Sequence, residues 1–189
     1  MKKIKKAAFL SIMLIITILA TISCKAEKIS QNQLKLEQLS VAITDLPDGW
    51  IYSGQDWNQN FGAEDFTIGY GIPNNNIIRF AHTMSSYSDE EQARIGYSEW
   101  EKDTFSDGFL QTWEEADFSP SDPRDQYRFE CEQILSDASI FSCVYLQRHN
   151  QIISDILVNL DGKAMTFAQL NEILGVLDKR LNEVNVENQ

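Results

Sequence analysis

The stretch that decides the fold is QYRFECEQILSDASIFSCVYLQRHNQIISDILVNL, residues 126–160. Its apolar and polar residues alternate over three runs, a pattern typical of strands with one buried face. Polar segments at about 136–138 and 149–150 separate the runs, and Asn150 tolerates left-handed turn geometry. The stretch therefore predicts three antiparallel strands joined by two tight turns.

The first turn sets the register of the first predicted hairpin, because antiparallel partners lie equally far from their loop. With residues 136–138 as the loop, Cys131 lies opposite Cys143 and Phe129 lies opposite Tyr145. The two cysteines then share one face within disulfide reach. An even number of cysteines in an exported chain is typical of a disulfide, so we expect this pair to be bonded. Two buried free thiols are the alternative.

The second turn places the third strand on the same face. With residues 149–150 at the turn, Cys143 lies opposite Ile156 and Phe141 lies opposite Val158. One face then collects aromatic, aliphatic and cysteine side chains: Phe129, Cys131, Phe141, Cys143, Tyr145, Ile156 and Val158. Charged residues occupy the opposite face of the first strand, so the apolar face is predicted to lie against the core.

Two helices complete the predicted fold. The capping-box sequences SDEE at 88–91, with Ser88 as N-cap, and TFAQ at 166–169 mark helix starts. They begin helices predicted at about 88–104 and 166–183, the second with leucines at helical spacing along one buried stripe. The sequence therefore predicts an α+β fold, a single antiparallel sheet packed by these helices.

The upstream part of the chain predicts further strands. One begins at Trp50, after a turn formed by PDG, and two others cover residues 66–72 and 77–84. Residues 107–118 fit either a helix or a strand, and both alternatives stay open.

The N-terminus predicts export. Four lysines precede an uncharged stretch over residues 7–22, which is typical of a secretory signal. At 16 residues, the stretch is shorter than the roughly 20 that a spanning helix needs. The sequence ATISC ends at Cys24 and resembles the lipobox of bacterial lipoproteins, which implies that Cys24 is lipidated. Ordinary signal-peptidase cleavage is the alternative.

These features divide the chain into four predicted parts. Residues 1–23 form a signal peptide, and residues 24–38 form the lipidated N-terminus with a flexible tether. Residues 39–185 form a single α+β domain, and residues 186–189 form a tail. The domain is predicted to lie outside the cytoplasm, held by lipid at the cell membrane or the outer membrane.

Composition excludes some classes of function. Removing the signal peptide with its four lysines shifts the formal charge from −12 to −16. Such an acidic chain repels nucleic acid, whose binding depends on neutralising phosphates. Four tryptophans, ten phenylalanines and six tyrosines supply the apolar mass that disordered chains lack. A folded acidic domain without a nucleic-acid partner is therefore expected.

The sequence contains no recognisable catalytic motif. A hydrolase that uses His82 with a carboxylate such as Asp65 is one alternative, and a purely structural assembly scaffold is another. DWNQNFGAED resembles the opening of a calcium loop but lacks its glycine and its glutamate, so no metal or cofactor is predicted. The histidine at 149 is placed in the second turn.

Four aromatic residues have two interpretations: Trp57, Phe61, Trp100 and Trp113. They cap the core between sheet and helices, or they line a pocket or a partner surface. The sequence does not identify the residues that bind a ligand.

The layout resembles two groups of α+β domains. The residues that carry the resemblance are ITDLPDGW, the capped helix at 88–104, the hairpin CVYLQRHNQIISDILVNL and the closing amphipathic helix. Over about residues 40–183 the chain is similar to PsbP-like domains and, more weakly, to the extracellular sensor domains of PknH-type kinases. The resemblance implies a non-catalytic binding or accessory domain for a protein partner or a small ligand.

Overall fold

The computed structural model describes residues 31–60, 62–106, 110–135 and 140–186. These segments contain α1 (Gln31–Leu39), α2 (Glu90–Thr104), α3 (Phe167–Val186) and a short 3-10 helix (Ile43–Asp45). The predicted signal peptide, Cys24, Phe61 and the three residues after Val186 lie outside the described residues.

Six strands form one sheet in the order β1-β2-β3-β6-β5-β4, and all neighbours are antiparallel. The strands are β1 (Ile51–Asn60), β2 (Ala63–Ile72), β3 (Asn75–Ser86), β4 (Gln126–Leu135), β5 (Ile140–His149) and β6 (Ile152–Leu160). Three helices pack on this sheet, so the predicted α+β fold is confirmed. Strand β2 begins before the predicted 66–72 and ends at residue 72 as predicted. Strand β3 extends beyond the predicted 77–84 at both ends.

The register of the β4–β5 hairpin is the predicted one. Cys131 lies opposite Cys143, and Phe129 lies opposite Tyr145. The structure contains the Cys131–Cys143 disulfide, and both cysteines are fully buried. The bond therefore links the two strands from within the core.

The predicted register of the β5–β6 hairpin is wrong by one turn position. The turn is formed by Asn150 and Gln151, so His149 pairs with Ile152 and Cys143 lies opposite Val158. Asn150 has the expected positive φ, 53°. Moving the turn by one residue moves each partner by two, and a shift of two keeps every side chain on its face. The predicted division into two faces is therefore correct although the pairing is not.

The two sheet faces carry different helices. The face that carries Phe66, Phe80 and Ile156 packs against α1 and α3 in the main core, and we call it the α3 face. Leucines of α3 that are at most 1% exposed fill this core: Leu170, Leu174, Leu177 and Leu181. The opposite face, called the α2 face, carries Val144, Leu146 and Ile153, which pack with Tyr97 of α2.

The two helix starts differ in how well they were predicted. At α2 the N-cap is Asp89 rather than Ser88, because the Asp89 carboxylate accepts the Gln92 N–H at 2.8 Å. A carboxylate is favoured there by the helix dipole. At α3 the predicted box is present: Thr166 N–H donates to Gln169 Oε1 at 2.9 Å, and Gln169 N–H donates to Thr166 Oγ1 at 3.3 Å.

Part of the predicted tether belongs to the packed domain. Helix α1 covers the second half of residues 24–38, and its Leu36 and Leu39 are 1% and 5% exposed in the main core. These two leucines lie three residues apart, so one short helical face buries both. The domain therefore starts by Gln31 rather than at residue 39.

The segment at 107–118 is predicted to be either a helix or a strand. From residue 110 onward, where the structure describes it, it forms neither. Gln111 forms a single bridge with Cys131 of β4, through two backbone hydrogen bonds of 2.9 and 2.8 Å. The Trp113 indole N–H donates to the Cys131 carbonyl at 2.8 Å. The segment therefore covers part of the open edge of β4, which would otherwise present unpaired backbone groups.

Candidate functional site

The catalytic pair considered from the sequence is not assembled. His82 is fully buried on the α3 face, whereas Asp65 lies directly opposite Ser85 in β3. Ser85 follows His82 by three residues in a regular strand, so the two side chains point to opposite faces. The sheet therefore separates His82 from Asp65.

The hydrogen bonds of His82 are those of a structural residue. The Val41 N–H donates to Nδ1 at 3.0 Å, so the ring proton resides on Nε2, which donates to Ser154 Oγ at 2.9 Å. Burial, helped by the nearby Arg180 charge, lowers the pKa of His82 to about 3. In this neutral tautomer Nε2 has no lone pair to accept the Ser154 proton. His82 instead fixes the segment after α1 to the sheet.

A depression lies at the tip of the β1–β2 hairpin, and we call it the hairpin pocket. It consists of two adjoining hollows of about 260 and 350 Å³ that share Gln59 and Glu64. Its lining is mostly polar and comes from β1, the β1–β2 turn, β2, the end of β3 and the link that follows it: Trp57, Asn58, Gln59, Gly62, Ala63, Glu64, Ser86, Tyr87 and Ser88.

The chemistry of the hairpin pocket is set by one carboxylate and one indole. Glu64 Oε2 is buried and accepts no hydrogen bond from the residues that the structure describes. The Trp57 ring packs on Phe66 with centroids 4.5 Å apart and also lines the larger hollow. A buried acceptor without a donor costs free energy that an entering donor would recover. This combination favours a ligand with an ammonium or guanidinium group.

A second group of polar side chains lies where β5 ends. His149 Nδ1 is 2.9 and 3.0 Å from the two Asp125 oxygens, and Gln147 Nε2 donates to Asp125 Oδ2 at 2.7 Å. Asp178 of α3 accepts the Ser121 hydroxyl at 2.5 Å. All of these side chains lie on or against the α3 face. His149 is therefore a buried strand residue and not the turn residue that was predicted.

Neighbouring charges hold this group together. Arg124 binds Asp122 through both oxygens, and this contact holds the pKa of the Asp122 carboxyl well below its usual range. Burial raises the pKa of Tyr145, so its hydroxyl stays protonated and donates to Gln147 Oε1 at 3.0 Å. We call Asp122, Asp125 and His149 the β5-end cluster.

The sequence predicts only part of these sites. DWNQN resembles the opening of a calcium loop, but Asp56 and Asn58 lie in extended β1, where the backbone cannot wrap an ion. Trp113 and Trp100 pack against the core, as the capping interpretation predicts, while Trp57 also lines the pocket. Residues 145, 147 and 149 alternate and therefore share one face of β5, which is the sequence signal that places His149 on the α3 face. That signal applies only if the turn begins after residue 149.

Comparisons with known proteins show a fold likeness. The chain matches no protein-family model and no curated protein sequence. Its structure is similar to the extracellular domain of PknH from Mycobacterium tuberculosis, with a TM-score of 0.57 and 9% sequence identity. The match covers 79% of this chain and 96% of that domain. The resemblance to PknH-type domains is therefore confirmed at the level of the fold.

The described residues contain no helix that is both long and apolar enough to cross a bilayer.

Proposed function

We propose that this chain is an extracytoplasmic, membrane-anchored binding domain that recognises a cationic group in the hairpin pocket. The observation that carries the proposal is the buried Glu64 Oε2, which lacks a hydrogen-bond donor among the described residues, beside the Trp57 indole. The disulfide and the fold likeness to an extracellular domain support a location outside the cytoplasm.

The pocket suits a small cationic group. Hollows of about 260 and 350 Å³ hold the end of a lysine or arginine side chain or a small amine. Glu64 supplies the charge, the indole supplies a cation–π contact, and Gln59 and Ser86 supply further polar groups. The acidic chain attracts cations over a longer range.

We expect Glu64→Gln to weaken binding of putrescine and of agmatine by about 10- to 100-fold, because a charge-assisted hydrogen bond contributes about 1.5–3 kcal/mol. Isothermal titration of the whole purified chain measures this change. The uncharged analogue 1,4-butanediol should not bind, and the exposed control Glu114→Gln should bind like the unchanged chain.

Two sources of the cationic group are distinguished by competing ligands. If a lysine-containing peptide displaces agmatine and binds more tightly than free amines, the natural ligand is a protein partner. If only small amines bind, the natural ligand is a free cation. Equal affinities of the unchanged chain and Glu64→Gln for every probe would contradict the proposal.

The anchor has its own test. If Cys24 carries lipid, mass spectrometry of the chain extracted from its own membrane should show a protein that starts at Cys24 with added acyl mass. Replacing Cys24 by serine should release the domain from the membrane, since stable anchoring needs two or more acyl chains. A mature chain that starts elsewhere and carries no acyl mass would contradict lipid anchoring.

A further inference from the structure

The β5-end cluster brings together three metal-ligating side chains from two parts of the chain. Asp122 and Asp125 precede β4, and His149 ends β5. One ligand atom from each lies within 4.8 Å of the other two. The closest pair, His149 Nδ1 and Asp125 Oδ1, is 2.9 Å apart. Zinc bonds of about 2.1 Å separate tetrahedral ligand atoms by about 3.4 Å, so small adjustments would admit an ion.

Burial distinguishes this cluster from ordinary surface carboxylates. The side chains of His149 and Asp125 are 2% and 3% exposed, and that of Asp122 is 12% exposed. Buried charges are costly unless they are paired or bind a metal. The acids of this cluster are already paired, with His149 and with Arg124, but at this depth water would screen a bound cation far less than at the exposed acids of the chain.

The balance of charge favours a divalent cation. Gln147 connects the cluster to Asp178, so three carboxylates meet at this end of the sheet. Arg124 is the guanidinium that contacts them, through Asp122. With a neutral imidazole, these three acids and one guanidinium leave two negative charges in excess. A divalent ion would neutralise that excess.

The surrounding hydrogen bonds already orient the ligands. Gln147 Nε2 donates to Asp125 Oδ2, and the Tyr145 hydroxyl donates to the Gln147 carbonyl oxygen. Both Asp125 oxygens face His149 Nδ1, and Oδ1 is the one that Gln147 does not bind. Metal-binding carboxylates are commonly held in this way by an outer layer of hydrogen bonds.

We propose that His149 Nδ1, Asp125 Oδ1 and one Asp122 oxygen bind a divalent transition-metal ion, with Zn²⁺ the best fit. Imidazole and carboxylate ligands suit zinc, and three protein ligands leave a fourth position for water. The ion takes the place of the Nδ1 proton that faces Asp125, and the neutral imidazole carries its proton on Nε2 instead, so no proton is lost to solvent. One Asp122 oxygen turns from Arg124 to the ion, and the Arg124 side chain is 77% exposed and able to move.

This site is separate from the hairpin pocket. Glu64, Ser86, Ile152 and His149 are successive neighbours in one row across the sheet. Three strand spacings amount to about 14 Å, so a change at one site leaves the ligands of the other in place.

The test is zinc titration of the metal-free whole chain by calorimetry, repeated in buffers of different ionisation enthalpy. We expect one ion per chain, a binding enthalpy that does not depend on the buffer because no net proton is exchanged, and a higher melting temperature with zinc. Asp122→Asn should weaken zinc binding at least tenfold. This substitution affects the most exposed ligand, and circular dichroism checks that the fold is retained.

The matched control is Glu91→Gln on the exposed surface of α2, because the Arg94 guanidinium binds both oxygens of Glu91 as the Arg124 guanidinium binds both oxygens of Asp122. It should bind zinc like the unchanged chain. Cobalt should bind at the same site and show the visible absorption of a tetrahedral nitrogen- and oxygen-ligated ion. Absence of zinc binding by the unchanged chain would overturn the proposal. Equal zinc binding by Asp122→Asn and the control would do the same.

Discussion

Replacing Gly96 with alanine should destabilise the protein by about 2–4 kcal/mol, at or slightly above the range for overpacked cores. Gly96 is buried in α2, and a Cβ at this position would lie 2.2 Å from the Tyr87 hydroxyl oxygen and 2.4 Å from its Cζ. Tyr87 is 4% exposed within the α2-face core, so its ring cannot move aside without opening that core. Urea unfolding followed by circular dichroism measures the loss.

Gly175 of α3 provides the matched control. A Cβ there would lie 4.0 Å from the Phe118 ring, which is ordinary contact. Gly175→Ala should therefore stabilise the protein by about 0.5–1 kcal/mol, the usual preference of a helix for alanine. If both glycine substitutions are stabilising, the packing of Tyr87 against α2 is not as described.

Asp155→Asn should stabilise the protein at pH 8 by about 2–4 kcal/mol and have little effect at pH 4. Asp155 lies on the α2 face between Thr83 and Leu146, and its Oδ1 is buried without a hydrogen-bond partner among the described residues. Burial raises the pKa of Asp155 to about 7. The neutral amide avoids the cost of the buried charge.

The sign of the pH dependence of stability follows from the number of protons bound in the folded and unfolded chains. Between about pH 4 and pH 7 the folded chain holds a proton on Asp155 that the unfolded chain has lost, so stability falls as the pH rises. His82 acts oppositely, because the unfolded chain protonates it below about pH 6.5 while the folded chain does so only near pH 3. Both chains contain His82, so its contribution cancels when the free energy of unfolding of the unchanged chain is subtracted from that of Asp155→Asn at each pH.

The measurement is the free energy of unfolding of both chains from pH 4 to pH 8. The exposed carboxyl of Asp103 offers a control, and Asp103→Asn should leave the pH profile unchanged. A constant difference between Asp155→Asn and the unchanged chain across this range would contradict a raised pKa of Asp155.

Local patterns were enough to predict most of the fold. Alternation from residue 126 to residue 160 indicates which side chains share a face, and the Cys131–Cys143 pairing follows from one short loop. Thr166 and Gln169 mark the start of α3 because a capping box involves only four neighbouring residues. These features depend on interactions between residues close in sequence.

Errors arose where competing local signals were nearly equal. Ser88 and Asp89 are both good N-caps, and the structure uses Asp89. Turns at 149–150 and at 150–151 preserve the same buried face, so alternation alone could not choose between them. Among the residues of helix α1 whose side chains the structure describes, Leu36 and Leu39 are the buried leucines, and such a short apolar pattern does not separate a docked helix from a polar tether.

The sequence by itself determined the α+β class, the two faces of the C-terminal hairpins and the disulfide, because side-chain direction in a strand depends on local alternation. Only the tertiary structure decided which polar groups meet. It joins His82 to Val41, places Glu64 beside Trp57 in the hairpin pocket, and brings Asp122 and Asp125 to His149. These encounters depend on strand order and on the docking of distant segments, which no short stretch of sequence encodes.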